Sequence, residues 1–93
     1  MGDYRWNLII ESIMQRGGVA YVFGAGAIGK NLYKRLKNDN IIIKAFVDND
    51  MDKNGMIIAD NIGCIMPDDM DIQTPIIIGV PQKFEDEIAY QLS

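Results

Sequence analysis

Residues 19–50 read VAYVFGAGAIGKNLYKRLKNDNIIIKAFVDND, and this stretch decides the fold. An apolar run over 19–23 predicts a strand and leads into the glycine-rich segment GAGAIG, residues 24–29. The apolar residues Ile28, Leu32 and Leu36 lie four apart and predict an amphipathic helix over 27–37. A second apolar run, 41–47, ends at Asp48. Strand, glycine turn, helix, strand and acid form the order that a nucleotide-binding βαβ unit requires.

The glycine turn predicts a phosphate site. Gly24 permits a tight turn after the strand, Gly26 leaves room for a diphosphate near the backbone, and Gly29 lets the helix pack close to the strand. The free amides at the helix start, from Ala27 onward, and the positive end of the helix dipole favour an anion. Asp48 follows Gly29 by 19 residues, against roughly 20 expected for a ribose-binding acid. The alternative is a tight strand–helix turn in a domain without a ligand.

The rest of the chain predicts further strands and helices. A helix over 3–16 carries an apolar stripe, and Gly17-Gly18 ends it. A weaker strand signal, interrupted by Asp60-Asn61 and Gly63, spans 56–66, and a stronger one spans 75–80. Phe84, Ile88 and Leu92 lie four apart and predict a last helix over about 82–92. We therefore predict one α/β domain over residues 1–93 with a leading amphipathic helix within 1–17. It would be a half-Rossmann, three-layer α/β/α fold with a four-stranded parallel sheet in the order 3-2-1-4.

In that strand order the first and fourth strands flank the point where the order reverses. A ligand crevice is expected above their carboxyl ends. Gly79 and Pro81 would then lie opposite the glycine turn, and Gly79 lacks a side chain where a ligand comes close. A glycine that merely ends a strand before a proline turn explains the same residues equally well.

Composition limits the functions available. The net charge of −4 argues against a general nucleic-acid binder, and the chain contains no apolar run of membrane-spanning length and no signal peptide pattern. A single cysteine, Cys64, fits a reducing, cytoplasmic location. The absence of histidine removes Ser-His and Cys-His catalysis within this chain. No catalytic residue and no metal ligand is assigned.

The segments VFGAGAIGK, FVDNDMDKNGMIIADNIGCIMPDDM and PIIIGVP together resemble a known type of module. They are similar to the Rossmann-like N-terminal domains of bacterial sugar-nucleotide acetyltransferases and of nucleotide-sugar dehydratases of polysaccharide biosynthesis. The resemblance covers 19–92. It implies that Gly24, Gly26, Ile28 and Gly29 hold the phosphates, with Asp48 and Asn49 on the ribose or base side. It further implies a UDP- or CDP-type nucleotide-sugar ligand, with transfer performed by a separate catalytic domain or partner chain.

Three other interpretations remain open. The chain could be an NAD(H)-binding fragment of a dehydrogenase or epimerase. It could also be an interaction module with a vestigial crevice, in which the helix at 3–16, with Trp6, docks a partner or a second copy in a homodimer. Finally, Asp50, Asp52, Asn54 and Gly55 match the start of an EF-hand calcium loop, but the twelfth position is an asparagine and not the expected glutamate. Tyr33 and Lys37 match the Y-x-x-x-K pair of short-chain dehydrogenases, and their position directly after the glycine turn indicates coincidence.

Overall fold

The computed structural model of the chain describes residues 3–79 and 88–91. Two helices and six strands lie in these ranges. In chain order they are α1 (Asp3–Gln15), β1 (Val19–Phe23), α2 (Ala27–Asn38), β2 (Ile42–Val47), β3 (Ile57–Ala59), β4 (Ile62–Ile65), β5 (Ile76–Gly79) and β6 (Ile88–Gln91). Single 3-10 turns, Met51–Lys53 and Pro67–Asp69, interrupt the loops before β3 and β5.

The six strands form one mixed sheet in the order β3-β4-β2-β1-β5-β6. β4, β2, β1 and β5 pair in parallel, while β3 and β6 run antiparallel to their neighbours at the two edges. The predicted four-stranded, purely parallel sheet with the order 3-2-1-4 is therefore wrong. Both added strands cover edges that would otherwise expose unpaired backbone groups.

The single strand predicted over 56–66 is a hairpin, because the chain reverses at Asp60 and Asn61. These residues have φ angles of 47° and 68°, which is the left-handed region. A two-residue loop with both φ angles positive is a type I′ turn, and Asp and Asn tolerate that backbone better than most residues. The reversal leaves β3 paired antiparallel with β4, with Ile57 opposite Gly63.

The predicted C-terminal helix over 82–92 is also wrong where the structure describes it. Residues 88–91 form β6, which pairs with β5 from Gly79↔Ile88 to Ile76↔Gln91. The rest of that predicted helix lies outside the described residues. Ile88 and Tyr90 are strand-forming residues, and pairing with β5 outweighs the spacing of apolar residues four apart that suggested a helix.

The described helices lie on one face of the sheet. The larger core cluster joins Trp6, Ile9 and Ile13 of α1 and Leu32 and Leu36 of α2 to one face of the strands. The opposite face has its own cluster, made of Tyr21, Ala45, Val47 and Ile76, with Met70 from the loop before β5 packed against it. The described part of the chain thus has two layers and not the three expected. The α/β/α prediction is corrected accordingly.

Contacts with α2 hold α1 in place. The Trp6 side chain is buried, its indole Nε1 donates to Asp39 Oδ2 at 2.5 Å, and the Arg35 guanidinium lies 3.9 Å from the centroid of its ring. Trp6 is therefore part of this chain's own core.

A β-bulge in β2 sets which residues face the helices. Ala20 pairs with Ile43 and Tyr21 pairs with Ala45, so Lys44 is the extra residue. Ile43 belongs to the helix-side cluster, whereas Ala45 belongs to the opposite one. The alternation of faces resumes after the bulge, so Phe46 points to the helix side.

Candidate functional site

The turn between β1 and α2 is tight because Gly24 and Gly29 touch. Gly24 has a φ of 103°, and its amide donates to Val47 O at 2.7 Å. A Cβ placed on Gly29 would lie 1.8 Å from Gly24 O. Glycine is therefore required at position 29 by close backbone packing and at position 24 by the backbone angle.

The helix start next to this turn carries no side-chain cap. Gly26 is the N-cap residue of α2, no side chain accepts a hydrogen bond from the first amides, and the first turn contains no acid. A Cβ on Gly26 would meet no atom within 4 Å. The first amides of α2, at the positive end of its dipole, consequently have no side-chain acceptor.

A cleft of about 390 Å³ lies above the carboxyl ends of β1 and β5. It is lined by Phe23, Gly24, Gly26, Ala27, Ile28, Gly29 and Gly79. A Cβ on Gly79 would lie 2.7 Å from Cγ2 of Ile28, so the absent side chain at 79 lets α2 approach β5. The volume of this cleft exceeds the lower end of the range for small-molecule sites, which is roughly 300 Å³.

Asp48 connects the ends of β1 and β2. Its Oδ2 accepts from the Ala25 amide at 2.9 Å, and its Oδ1 accepts from the Asp50 amide at 2.9 Å. The Ala25 amide, followed by the Asp50 amide, holds the pKa of the Asp48 carboxyl below its usual value. The side chain keeps 19% exposure, and Lys53 Nζ lies 3.8 Å from Oδ2.

The loop after Asp48 is organised by its own backbone. Asp50 Oδ1 accepts from the Asp52 amide at 2.9 Å and caps the 3-10 turn Met51–Lys53. This is the turn-forming use of an Asp side chain. Among the described residues, no group of three or more His, Cys, Asp or Glu side chains is placed to hold a metal ion.

The structure brings most of the predicted site residues together. Gly24, Gly26, Ala27, Ile28, Gly29 and Gly79 line one cleft, and Asp48 is bonded to the middle of the turn. Asn49 is exposed beside Asp48 and does not line the cleft. Pro81 lies outside the described residues.

Sequence reasoning missed three contributors, namely Phe23, Ala25 and Lys53. Phe23 lines the cleft, the Ala25 amide binds Asp48, and Lys53 approaches the same carboxylate. The last residue of a strand before a glycine turn could have indicated Phe23. A backbone amide carries no residue-type signal, so nothing in the sequence indicated Ala25.

Tyr33 and Lys37 meet at Asp60 and not at a cofactor cleft. The Tyr33 hydroxyl donates to Asp60 Oδ2 at 2.6 Å, and Lys37 Nζ donates to the same oxygen at 3.0 Å. The hydrogen bond to Asp60 raises the pKa of Tyr33 above its usual value. A tyrosine that acts as a general base needs a pKa near the operating pH. The hydrogen bonds from Tyr33 and Lys37 to Asp60 instead attach α2 to the β3–β4 turn.

A second concavity, of about 990 Å³, lies at the opposite end of the sheet. Val19, Ile42, Lys44 and the loop 71–74 line it, together with Arg16. Asp71 is the centre of its polar contacts and accepts from Tyr21 Oη at 2.9 Å and Lys44 Nζ at 2.6 Å. Lys44, followed by the Thr74 hydroxyl, holds the pKa of Asp71 far below its usual value. These contacts fasten the loop before β5 to the sheet.

The fold and the turn define an α/β domain with a glycine turn between its first strand and the following helix. The chain belongs to the family described as "C2185-like, N-terminal", which matches residues 19–93. No curated protein and no solved structure shows significant similarity to the chain. Among the described residues, neither helix has the length and apolar character needed to cross a membrane.

Proposed function

We propose that this chain is a nucleotide-binding module, not catalytic on its own, that holds a nucleotide or nucleotide-sugar above the Gly24–Gly29 turn. The observation that carries the proposal is the cleft above the uncapped start of α2, lined by four glycines. Because these residues are glycines, no side chain of theirs blocks a phosphate that approaches the backbone.

Each part of the site has a distinct role in this proposal. The amides at the start of α2 bind the phosphate oxygens, because helix N-termini combine free N–H groups with a positive dipole end. We assign Asp48, which follows the neighbouring strand and keeps 19% side-chain exposure, to the ribose side of the ligand. Gly79 bounds the cleft from β5.

The cleft volume indicates how much of a ligand is enclosed. About 390 Å³ is close to the lower end of small-molecule sites, which span roughly 300–1,000 Å³. A cleft of this size encloses a phosphate group and its sugar, and the rest of the ligand lies outside it. The resemblance to modules of polysaccharide-biosynthesis enzymes is the ground on which we propose a UDP- or CDP-type nucleotide-sugar ahead of NAD. A transferase or dehydratase reaction would then belong to another domain or chain.

An NMR titration of the full chain tests this proposal. The ¹⁵N-labelled protein is titrated separately with a UDP-sugar, a CDP-sugar and NAD⁺, with free ribose as a control. We expect amide shifts at Gly26, Ala27 and Gly29 with the nucleotide-sugars, with dissociation constants between about 1 μM and 1 mM. Free ribose should leave these three amides unchanged.

Two results would change the conclusion. Shifts produced by NAD⁺ alone would favour the dinucleotide interpretation over the nucleotide-sugar one. No shift at Gly26 or Gly29 with millimolar concentrations of any nucleotide would overturn the proposal.

A further inference from the structure

One carboxylate links the two loops that border the cleft. Asp48 Oδ2 accepts from the amide of Ala25, inside the glycine turn, and Oδ1 accepts from the amide of Asp50, in the loop after β2. Both distances are 2.9 Å. Each oxygen of the Asp48 carboxylate therefore already accepts a hydrogen bond from a backbone amide of this chain.

The segment it holds lies between two backbone anchors of the turn. Gly24 is anchored through its amide to Val47 O, and Gly26 O accepts from the Lys30 amide within the helix. Ala25 lies between them and is flanked on both sides by glycines, which have more backbone freedom than other residues. The Ala25 side chain is buried in the helix-side cluster, and the bond from its amide to Asp48 orients the peptide between these two anchors.

We infer that Asp48 is a positioning residue that holds the glycine turn in its phosphate-receiving conformation, so that it supports a diphosphate without touching it. This inference rests on the proposed nucleotide site. If Asp48 has this role, the diphosphate is the part of the ligand that the site recognises. The effect of Asp48 on affinity should then persist when the ligand has no ribose.

Pyrophosphate is the probe that separates this role from direct ribose binding, because it has phosphates and no sugar. If Asp48 only contacted ribose, removing its negative charge would leave pyrophosphate affinity unchanged or raise it. If Asp48 positions the turn, removing it should lower that affinity. Only the positioning role predicts a loss of pyrophosphate affinity.

Asp48→Asn and Asp52→Asn are the variants compared. The Ala25 and Asp50 amides approach different oxygens of Asp48, and in Asp48→Asn one of these oxygens becomes an NH2 donor, so one of the two hydrogen bonds loses its acceptor. Asp52→Asn removes an equal charge from the same loop, and among the described residues the Asp52 carboxylate accepts no hydrogen bond. We expect pyrophosphate to bind Asp48→Asn about five- to tenfold more weakly, the loss of one hydrogen bond. Asp52→Asn should bind it as well as the wild type or better.

The outcomes distinguish this inference from the proposed function. If the wild type binds nucleotide and pyrophosphate but the two variants behave alike, the positioning role is overturned and the nucleotide site stands. If the wild type binds neither ligand, both are overturned.

Should Asp48→Asn fail to fold, the wild type supplies the measurement. As the pH is lowered in the presence of pyrophosphate, the chemical shift of the Ala25 amide proton should follow the titration of the Asp48 carboxyl carbon. The affinity for pyrophosphate, also measured by NMR, should fall over the same pH range. An Ala25 shift independent of that titration would overturn the inference.

Discussion

A methyl group at Gly29 has no room, since its Cβ would lie 1.8 Å from Gly24 O. We expect Gly29→Ala to lower the free energy of unfolding by about 2–3 kcal/mol or more, because the backbone of α2 must move away from the turn. Urea denaturation followed by far-UV circular dichroism measures the loss. The matched control is Gly26→Ala, where a Cβ meets no atom within 4 Å. Its stability should stay within about 0.5 kcal/mol of the wild type, and equal losses in both variants would contradict the prediction.

The Asp48 carboxyl predicts a pH dependence of stability. Its pKa is lowered in the folded chain by the amides of Ala25 and Asp50. A lowered pKa stabilises the fold above the unfolded value, about pH 4, and this contribution disappears as the pH falls through the folded pKa. The stability difference between the wild type and Asp48→Asn should therefore be largest near neutral pH and shrink below about pH 4. Urea denaturation of both proteins from about pH 7 to about pH 3 measures it, and a constant difference would contradict it.

At this scale the sequence predicted residue roles that depend on backbone geometry. Glycine spacing identified Gly24 and Gly29, because only glycine meets the backbone angle at the first position and the close packing at the second. It did not identify that the Asp48 carboxylate bonds to Ala25. That contact depends on how the two loops meet in space, and a backbone amide is the same in every residue except proline.

Among the elements, the β3–β4 hairpin depends on two left-handed residues. We expect Asn61→Val to lower the free energy of unfolding by about 1–2 kcal/mol, because a β-branched residue disfavours the φ of 68° at Asn61. Asn61→Gly is the control and should be at least as stable as the wild type. Thermal unfolding of the two variants measures the effect. A loss in both would show that the Asn61 side chain matters, and not the backbone angle.

The same hairpin shows why an element can be predicted with the wrong topology. The apolar residues of 56–66 indicated strand structure, which the structure has on both sides of Asp60-Asn61. Asp60-Asn61 interrupts the apolar pattern, but the sequence does not distinguish a break in one strand from a reversal of the chain. At 88–91 the error has another cause. Apolar residues four apart suggested a helix, and pairing with the open edge of β5 decides the matter instead.

For the whole molecule, α1 is part of the core although the family match begins at residue 19. Trp6, Ile9 and Ile13 pack in the helix-side cluster with β1 and α2. Removing a large buried side chain costs about 2–5 kcal/mol, and a domain has only about 5–15 kcal/mol in total. We therefore expect a chain of residues 19–93 to lose cooperative thermal unfolding and the amide shift dispersion of a folded protein.

Variants on the exposed side of α1 provide the comparison. Leu8 and Met14 are both about half-exposed, at 46% and 48%. Replacing either with alanine in the full chain should change the free energy of unfolding by less than about 1 kcal/mol. A folded 19–93 chain with the stability of the full chain would contradict the role given to α1.

The overall architecture was predictable only in part. Alternating apolar runs and one amphipathic helix indicated β1, α2 and β2, because long periodic segments carry a strong signal. The layer count was not predictable from the same signals. It depends on which face of the sheet each helix covers, and α1 and α2 share one face.

The bulge at Lys44 determines which single-residue deletions in β2 would keep Asp48 next to the glycine turn. Beyond it, Phe46 faces the helices, and Asp48, two residues later, reaches the Ala25 amide on that same side. Losing the codon for Lys44 would straighten β2 and leave Asp48 on its present side. Losing the codon for Val47 would turn the carboxylate to the opposite face, away from the glycine turn. These two deletions in one strand, at Lys44 and at Val47, would thus have opposite consequences for the site.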